Sequence, residues 1–511
     1  MAAKTPSFKP YYQHQIMAFP PTLEELVNKS HPVRIVSDMI DKINIQPLLA
    51  SYHLRGTSSY HPAMLLKVLV FGYVSNIYSS RKLETACKEN VNFMWLSGMS
   101  YPDHNTINRF RSERLKKTLR QVFEQIVLLL ADEGLLSIED VFTDGTKIEA
   151  NANKYTFVWK RAIHSNKEKM KKSLTEIWRY AQKVAKSEDD LPEPPDFTTI
   201  DSQKVQQAVD TLNASLAKRP DIDKKVKAKL HYVTKHYPKK IKEYEQKEAI
   251  LGNRNSYSKT DPDATFMRMK DDHMRNGQLK AGYNIQISTS NQYVVNYSIH
   301  PNPTDTTTLA SHIQAHEDGF GKTLKTLTAD AGYGSGQNYD ILEQKSIEAY
   351  VKFGLFDKQQ NKNHNLKHPF SVDKLHYNQA QDCYICPMGQ PMNYIGTVIK
   401  KTATGYIQKI KKYQAQQCTN CPMRGLCHQS KTNRIIQVNE DLNRYKEQAH
   451  ALLNSEKGIA KRRQRCHDVE TVFGNIKHNY GFRRFMLRGK EKVAIEWGLL
   501  AIAQNLRKKA A

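Results

Sequence analysis

Membrane-length hydrophobic segments are absent. No run of about eighteen or more apolar residues occurs in the 511, so no helix is expected to span a bilayer. The opening residues, MAAKTPSFKPYYQHQ, lack the apolar core of a secretory signal, which places the chain's expected location in the cytoplasm. No repeat of about twenty to fifty residues is visible. Acids are in short supply: 51 Asp and Glu stand against 77 Lys and Arg, a formal net charge of +26. An excess of that size attracts a polyanion and predicts salt-dependent binding to nucleic acid. Cysteine is scarce as well, but five of the seven fall within Cys383–Cys427. In a reducing compartment such clustering points to metal rather than to disulfides.

What is present predicts an α/β protein with helical additions. Residues 1–135 read as an all-helical domain with helix-turn-helix-like links, in which Pro62 marks a helix start and "PDHNTINRFR" offers Asn105 and Arg109 to DNA. Strand patterns begin at Val141 and resume with "QLKAGYNIQISTS" and "QYVVNYSIHPN", joined closely enough to predict an antiparallel hairpin. "TLKTLTAD" and "EAYVKF" add strands separated by a helix, so the sheet should be mixed. "KTDPDATFMRMKD" reads as a polar turn segment. The core is expected to be discontinuous, at 136–154, 255–354 and 455–511. A lysine-rich insertion of polar helices fills 155–254, read either as a solvated appendage or as a basic DNA-tracking arm. A Cys-rich insertion fills 355–454.

Two strand-like runs each arrive at an Asp followed by small residues: "VFTDGT" at Asp144 and "TLTADAGYG" at Asp330. An Asp-Gly pair between strands is a good hairpin signal, and that is the bland reading of Asp144. The alternative takes both as strand ends in one sheet, whose carboxylates would need a cation between them. In "HDVETVFGNIK", Val469, Val472, Phe473 and Ile476 form an apolar stripe, with Glu470 and Lys477 along one flank. Glu470 could therefore look inward at the strand ends, completing an oxygen-donor set for two Mg²⁺ or Mn²⁺ ions, the usual arrangement for phosphodiester chemistry.

"CYIC" at Cys383–Cys386 and "CTNC" at Cys418–Cys421 form two knuckles able to close a tetrahedral, structural Zn²⁺ site in a ribbon, with Cys427 and His428 as spare ligands. Lys409, Lys411, Lys412, Arg424 and Lys431 give that ribbon cationic groups for DNA.

"TDGTKIEAN", "TADAGYGS" and "VETVFGNIKHNYGFRRFMLRG" resemble the three acidic motifs of bacterial insertion-sequence DDE transposases, whose catalytic core is RNase H-like. "HPAMLLKVLVFGYVSNIYSSRKLETACKENVNFMWLSG" resembles the helical N-terminal domain found in many of them. The interval from Glu470 to Lys477 matches the family's Tyr-Arg-Glu-Lys signature, but Cys466 stands at the Arg position, Arg465 is one residue earlier, and no residue matches the Tyr. The resemblance implies Asp144, Asp330 and Glu470 as the catalytic, metal-binding triad. It further implies that Lys477, Arg465 and the loop residues Arg483, Arg484, Arg488 and Lys490 hold DNA. The activity implied is transposition: Mg²⁺-dependent cleavage at the ends of a mobile element and transfer of those ends into target DNA, by a homodimer or larger assembly on double-stranded DNA. Two rivals remain at this point: another metal-dependent nuclease with the same core, which would cut without joining, and a non-catalytic DNA-binding regulator, which would need no metal.

Overall fold

The structure is a computed structural model and describes residues 20–52, 58–184, 195–197, 199–216, 222–269 and 277–511. The chain divides into two compact units: residues up to Ile126 with Leu499–Ala511, and Val127–Gly498.

In the first unit, local chemistry fixes the helix ends. Pro32–Lys42 and Pro62–Val74 each open on a proline, and ring nitrogens of His31 and His61 accept the N–H groups of Val33 and Ala63. Pro62 thus starts a helix as its sequence predicts. That helix is apolar on nearly every side and correspondingly buried. Val91–Ser97 ends at Gly98 in the left-handed conformation, φ 56°. His104–Arg109 starts at Asp103, whose carboxylate accepts the Thr106 N–H at 2.6 Å. Asn105 and Arg109 lie one turn apart on its exposed side. Arg507 donates to the carbonyls of Tyr73 and Val74 and so closes the end of the Pro62–Val74 helix.

In chain order the strands of the second unit are β1 (Asp140–Glu149), β2 (Phe157–Trp159), β3 (Ser256–Ser258), β4 (Thr265–Arg268), β5 (Leu279–Ser290), β6 (Tyr293–His300), β7 (Thr326–Ala329) and β8 (Glu348–Val351), followed by β9 (Tyr377–Asn378), β10 (Cys383–Ile385), β11 (Pro391–Lys401), β12 (Ile407–Ala415) and β13 (Ile435–Val438). β1 is central in the main sheet. One edge pairs antiparallel with β5 from Phe142↔Thr289 to Glu149↔Gly282, and the other pairs parallel with β7, which pairs parallel with β8. The far edge of β5 is shared by β4 and β6. The sheet is therefore mixed, and β5–β6 is the expected hairpin; its two-residue link, Asn291 and Gln292, takes positive φ at both positions.

One segment departs from its sequence reading. Residues around Phe266 looked like a polar turn, yet Thr265–Arg268 is a strand with Thr265, Phe266 and Met267 buried. Four residues are too few for a period-two signal to emerge, and pairing with β5 supplies the order that local pattern lacks.

The lysine-rich insertion is amphipathic rather than polar all round. Helices Lys160–Val184, Ser202–Leu216 and Lys224–Leu251 bury Leu174, Trp178, Val209, Leu212, Val233 and Ile241 in a core of their own. The acidic elbow between the first two falls, from 187 to 194, outside the described residues. The Cys-rich insertion is a five-stranded antiparallel sheet in the order β13-β12-β11-β10-β9.

Candidate active site

Asp144 does not end its strand, and the Asp-Gly pair is not a turn. β1 runs through both residues to Glu149, and Asp144 is buried. The termination belongs to the neighbour. β7 pairs with β1 only as far as Thr143↔Ala329, so Asp144 is the first residue of β1 without a parallel partner. Asp330 is the first residue beyond β7. Both carboxylates thus emerge where the sheet opens, as strand ends would have placed them. Asp330 also caps the short 3-10 turn Ala331–Tyr333, accepting the Gly332 N–H at 2.9 Å, which fixes its side chain.

Gly145 has a steric reason rather than a turn reason. A Cβ there would stand 2.4 Å from Gln286 Nε2 and 2.5 Å from Asp305 Oδ1. Those two groups belong to a polar layer beside the site. Asn284 and Gln286 each donate to Asp305 Oδ1 at 2.8 Å, and the buried Tyr333 hydroxyl donates to Gln286 Oε1. Burial first, then the negative field of Asp305, Asp144 and Asp330, holds the Tyr333 phenol well above its ordinary range, so it stays a donor.

The third carboxylate comes from the helix Glu456–Gly474. Val469, Val472 and Phe473 are buried, and Asp468 accepts the Gln292 N–H at 3.0 Å. Glu470, the residue after Val469, is left at the rim with its side chain 56% exposed. The helix then widens into a π turn, Asn475–Asn479. Inserted residues of this kind re-aim side chains and recur at functional sites. The turn buries Lys477 and brings His478 beside it.

One cavity of about 380 Å³ collects these groups: Asp144, Thr146, Asp330, Arg465, Glu470, Phe473, Gly474, Lys477 and His478. Arg465 stands among the acids. Its Nη2 lies 3.5 Å from Asp144 Oδ2 and 3.7 Å from Asp330 Oδ2, and its Nη1 lies 3.4 Å from Glu470 Oε1. Its Nε is buried without a hydrogen-bond partner. Among the described residues no three His, Cys, Asp or Glu side chains are close enough, as placed, to hold an ion together. The donor set is nevertheless all carboxylate, the chemistry that suits a hard divalent cation, and the acids already gather round a positive charge.

The basic loop is tied into the fold. Arg484 donates to the carbonyls of Ala150 and Ala152 at 3.2 and 3.1 Å, and Arg488 to that of Asn151 at 2.8 Å. Arg483 Nε donates to Lys477 O at 3.2 Å. Lys490 meets Asp263 through its backbone N–H. The fully buried Glu496 accepts the N–H groups of Met486 and Leu487 and anchors the loop from behind. Thr146, His478, Asp305 and Glu496 carried no sequence prediction. Thr146 lies two residues from Asp144 on the same strand face, so strand periodicity would have found it; the π turn that brings in His478 leaves no such trace.

A family model described as Transposase DDE domain matches residues 385–510, a span that includes Glu470 and Lys477 but neither Asp144 nor Asp330. A second, described as Transposase domain (DUF772), matches residues 21–113 in the helical unit. No curated protein and no solved structure matches the chain.

Proposed function

We propose, for a chain whose two family matches indicate an insertion-sequence DDE transposase, that Asp144, Asp330 and Glu470 are its catalytic triad, cutting the ends of a mobile element and joining them to target DNA. The observation carrying this reading is the single cavity into which three acids from distant parts of the chain converge on one cation. DDE transposases generally use divalent metal ions; two Mg²⁺ or Mn²⁺ ions bound here would neutralise charge on the attacking and departing oxygens. Asp144, buried in the centre of the sheet, would be the most rigid of the acids holding the ions. Asp330 and the more exposed Glu470 would complete the donor set. Lys477, buried in the cavity wall, supplies a fixed positive charge for a non-bridging phosphate oxygen. The strand order, with an antiparallel hairpin on one side of β1 and parallel strands on the other, supports an RNase H-like core. A homodimer or larger assembly would bring two element ends to two such sites, and binding to double-stranded DNA follows the excess of 26 positive charges. No helix among the described residues is long and apolar enough to cross a membrane.

The test incubates the protein with Mg²⁺ and a duplex bearing the flanking element's terminal repeat, beside Asp144→Ala. Cutting and joining by the wild type alone is the expected result. Equal cutting by both proteins refutes the site; cutting without joining moves the chain to the nucleases; tight binding without metal-dependent cutting makes it a regulator.

A further inference from the structure

A second constellation lies in the ribbon. A small hollow of about 20 Å³ is lined by Cys386, Cys418, Cys421, Cys427, His428 and Arg434, among others. That volume holds one water or one ion, but a water needs two to four good hydrogen-bonding partners, and sulfur is a weak one. A borderline-soft cation is the better occupant of such a wall.

Each sulfur is delivered by local structure. After Cys386 the chain turns back at once: its N–H donates to Gln390 O at 2.8 Å and its carbonyl accepts the Gly389 N–H at 2.9 Å. Cys418 and Cys421 form a similar turn, and the short helix Arg424–Cys427 brings in Cys427. Arg434 then supports two of the sulfurs. Its backbone N–H donates to Cys418 Sγ at 3.4 Å and its guanidinium to Cys427 Sγ at 2.9 Å, while Nη2 is anchored on Phe370 O at 2.6 Å. N–H donors of this kind favour the thiolate and orient it, as outer partners do around a bound metal.

Cys383 takes no part. It is buried on β10 with its Sγ 3.8 Å from Gln381 Oε1, and it does not line the hollow. Cys383 lies on β10, whereas Cys386 is the first residue beyond its end, where the chain has already turned, so of the C-x-x-C pair it is Cys386 that lines the hollow.

We infer that Cys386, Cys418, Cys421 and Cys427 form a closed, structural zinc site, with Cys383 outside it. No three of these groups are yet within ligating reach, so the thiols lose their protons and turn inward as the ion binds. His428 faces the same hollow with Nδ1 held by Ser430 Oγ at 2.8 Å and Nε2 buried without a hydrogen-bond partner, which makes it the one competitor for the fourth position.

The test measures the metal content of the full chain, purified under reducing conditions, by elemental mass spectrometry. About one zinc per chain is expected in the wild type, in Cys383→Ser and in His428→Ala. Loss is expected in each of the four ligand variants. Since a serine variant could lose zinc by unfolding, Cys427→His is compared after cobalt exchange. It should keep one ion and shift the sulfur-to-cobalt charge-transfer band from four thiolates to three. A wild type without zinc, loss of zinc in Cys383→Ser, or loss in His428→Ala with retention in Cys427→Ser would each overturn the assignment.

Discussion

Arg465 Nη2 stands 3.5 Å from the buried Oδ2 of Asp144, and the same guanidinium reaches Asp330 and Glu470. These contacts exceed the roughly 2.7–2.9 Å of a strong charge-assisted bond. Arg465 is therefore a loosely held counter-ion in the space a divalent cation would take, and the two should compete. Arg465→Gln is expected to destabilise the metal-free protein, because the three acids then lose the cation they share, and to enlarge the rise in melting temperature produced by Mn²⁺. Scanning calorimetry with and without Mn²⁺ reads both effects. The same Mn²⁺ response in variant and wild type would show that Arg465 does not occupy the ions' place.

At Gly145, next to Asp144, a single methyl group would meet two polar neighbours at once. With Cβ distances of 2.4 and 2.5 Å to Gln286 and Asp305, Gly145→Ala must push both aside. Overpacking of this kind costs about 1–3 kcal/mol. The urea midpoint should fall accordingly, and cleavage should fall further, since Asp144 shares the displaced backbone. An unchanged midpoint would mean that the layer around Asp305 yields freely.

Below neutral pH the fold should weaken through His300. Burial, reinforced by Lys490, lowers its pKa to about 4, against an ordinary 6.5. Its Nε2 shares a 2.7 Å hydrogen bond with Ser298, which also meets His312 in the interior. The unfolded chain takes up this proton more readily than the folded one. Stability from this group is thus complete above about pH 6.5 and falls as the pH drops toward 4, by at most about 3 kcal/mol. His300→Gln should flatten that part of the profile. Unfolding midpoints at pH 7 and 4.5 for both proteins check it; parallel losses would assign the acid sensitivity to other groups.

Much of this site could be read before the fold was known, and the misreadings have physical causes. Asp144 and Asp330 announce themselves by polar residues at the close of apolar runs. Where β1 loses its neighbour is set by the length of β7, so the sequence around Asp144 alone suggests a strand end or a turn that the fold does not have. Glu470 is legible from its helix because the Val469 and Phe473 stripe fixes which side is buried. Lys477 sits seven residues on, but a π turn intervenes, so its burial reflects packing rather than helical spacing. In the ribbon, spacing puts Cys383 beside Cys386, whereas the end of β10 separates them. The lysine-rich helices hide their core because long charged side chains dilute an apolar stripe that only their three-way packing reveals.

The cationic residues near the triad should separate into two classes. Arg484 spends its guanidinium on the carbonyls of Ala150 and Ala152, at the end of the strand that carries Asp144. Lys477 lines the cavity itself. Arg484→Ala should therefore lower stability by about 1 kcal/mol for the lost hydrogen bonds and leave the salt dependence of DNA binding unchanged. Lys477→Ala should weaken DNA binding and reduce the slope of log affinity against log salt by about one phosphate contact. Fluorescence anisotropy across a salt series, paired with urea unfolding, distinguishes them. If Arg484→Ala lowers the slope while Lys477→Ala does not, the loop rather than the cavity wall grips the DNA backbone.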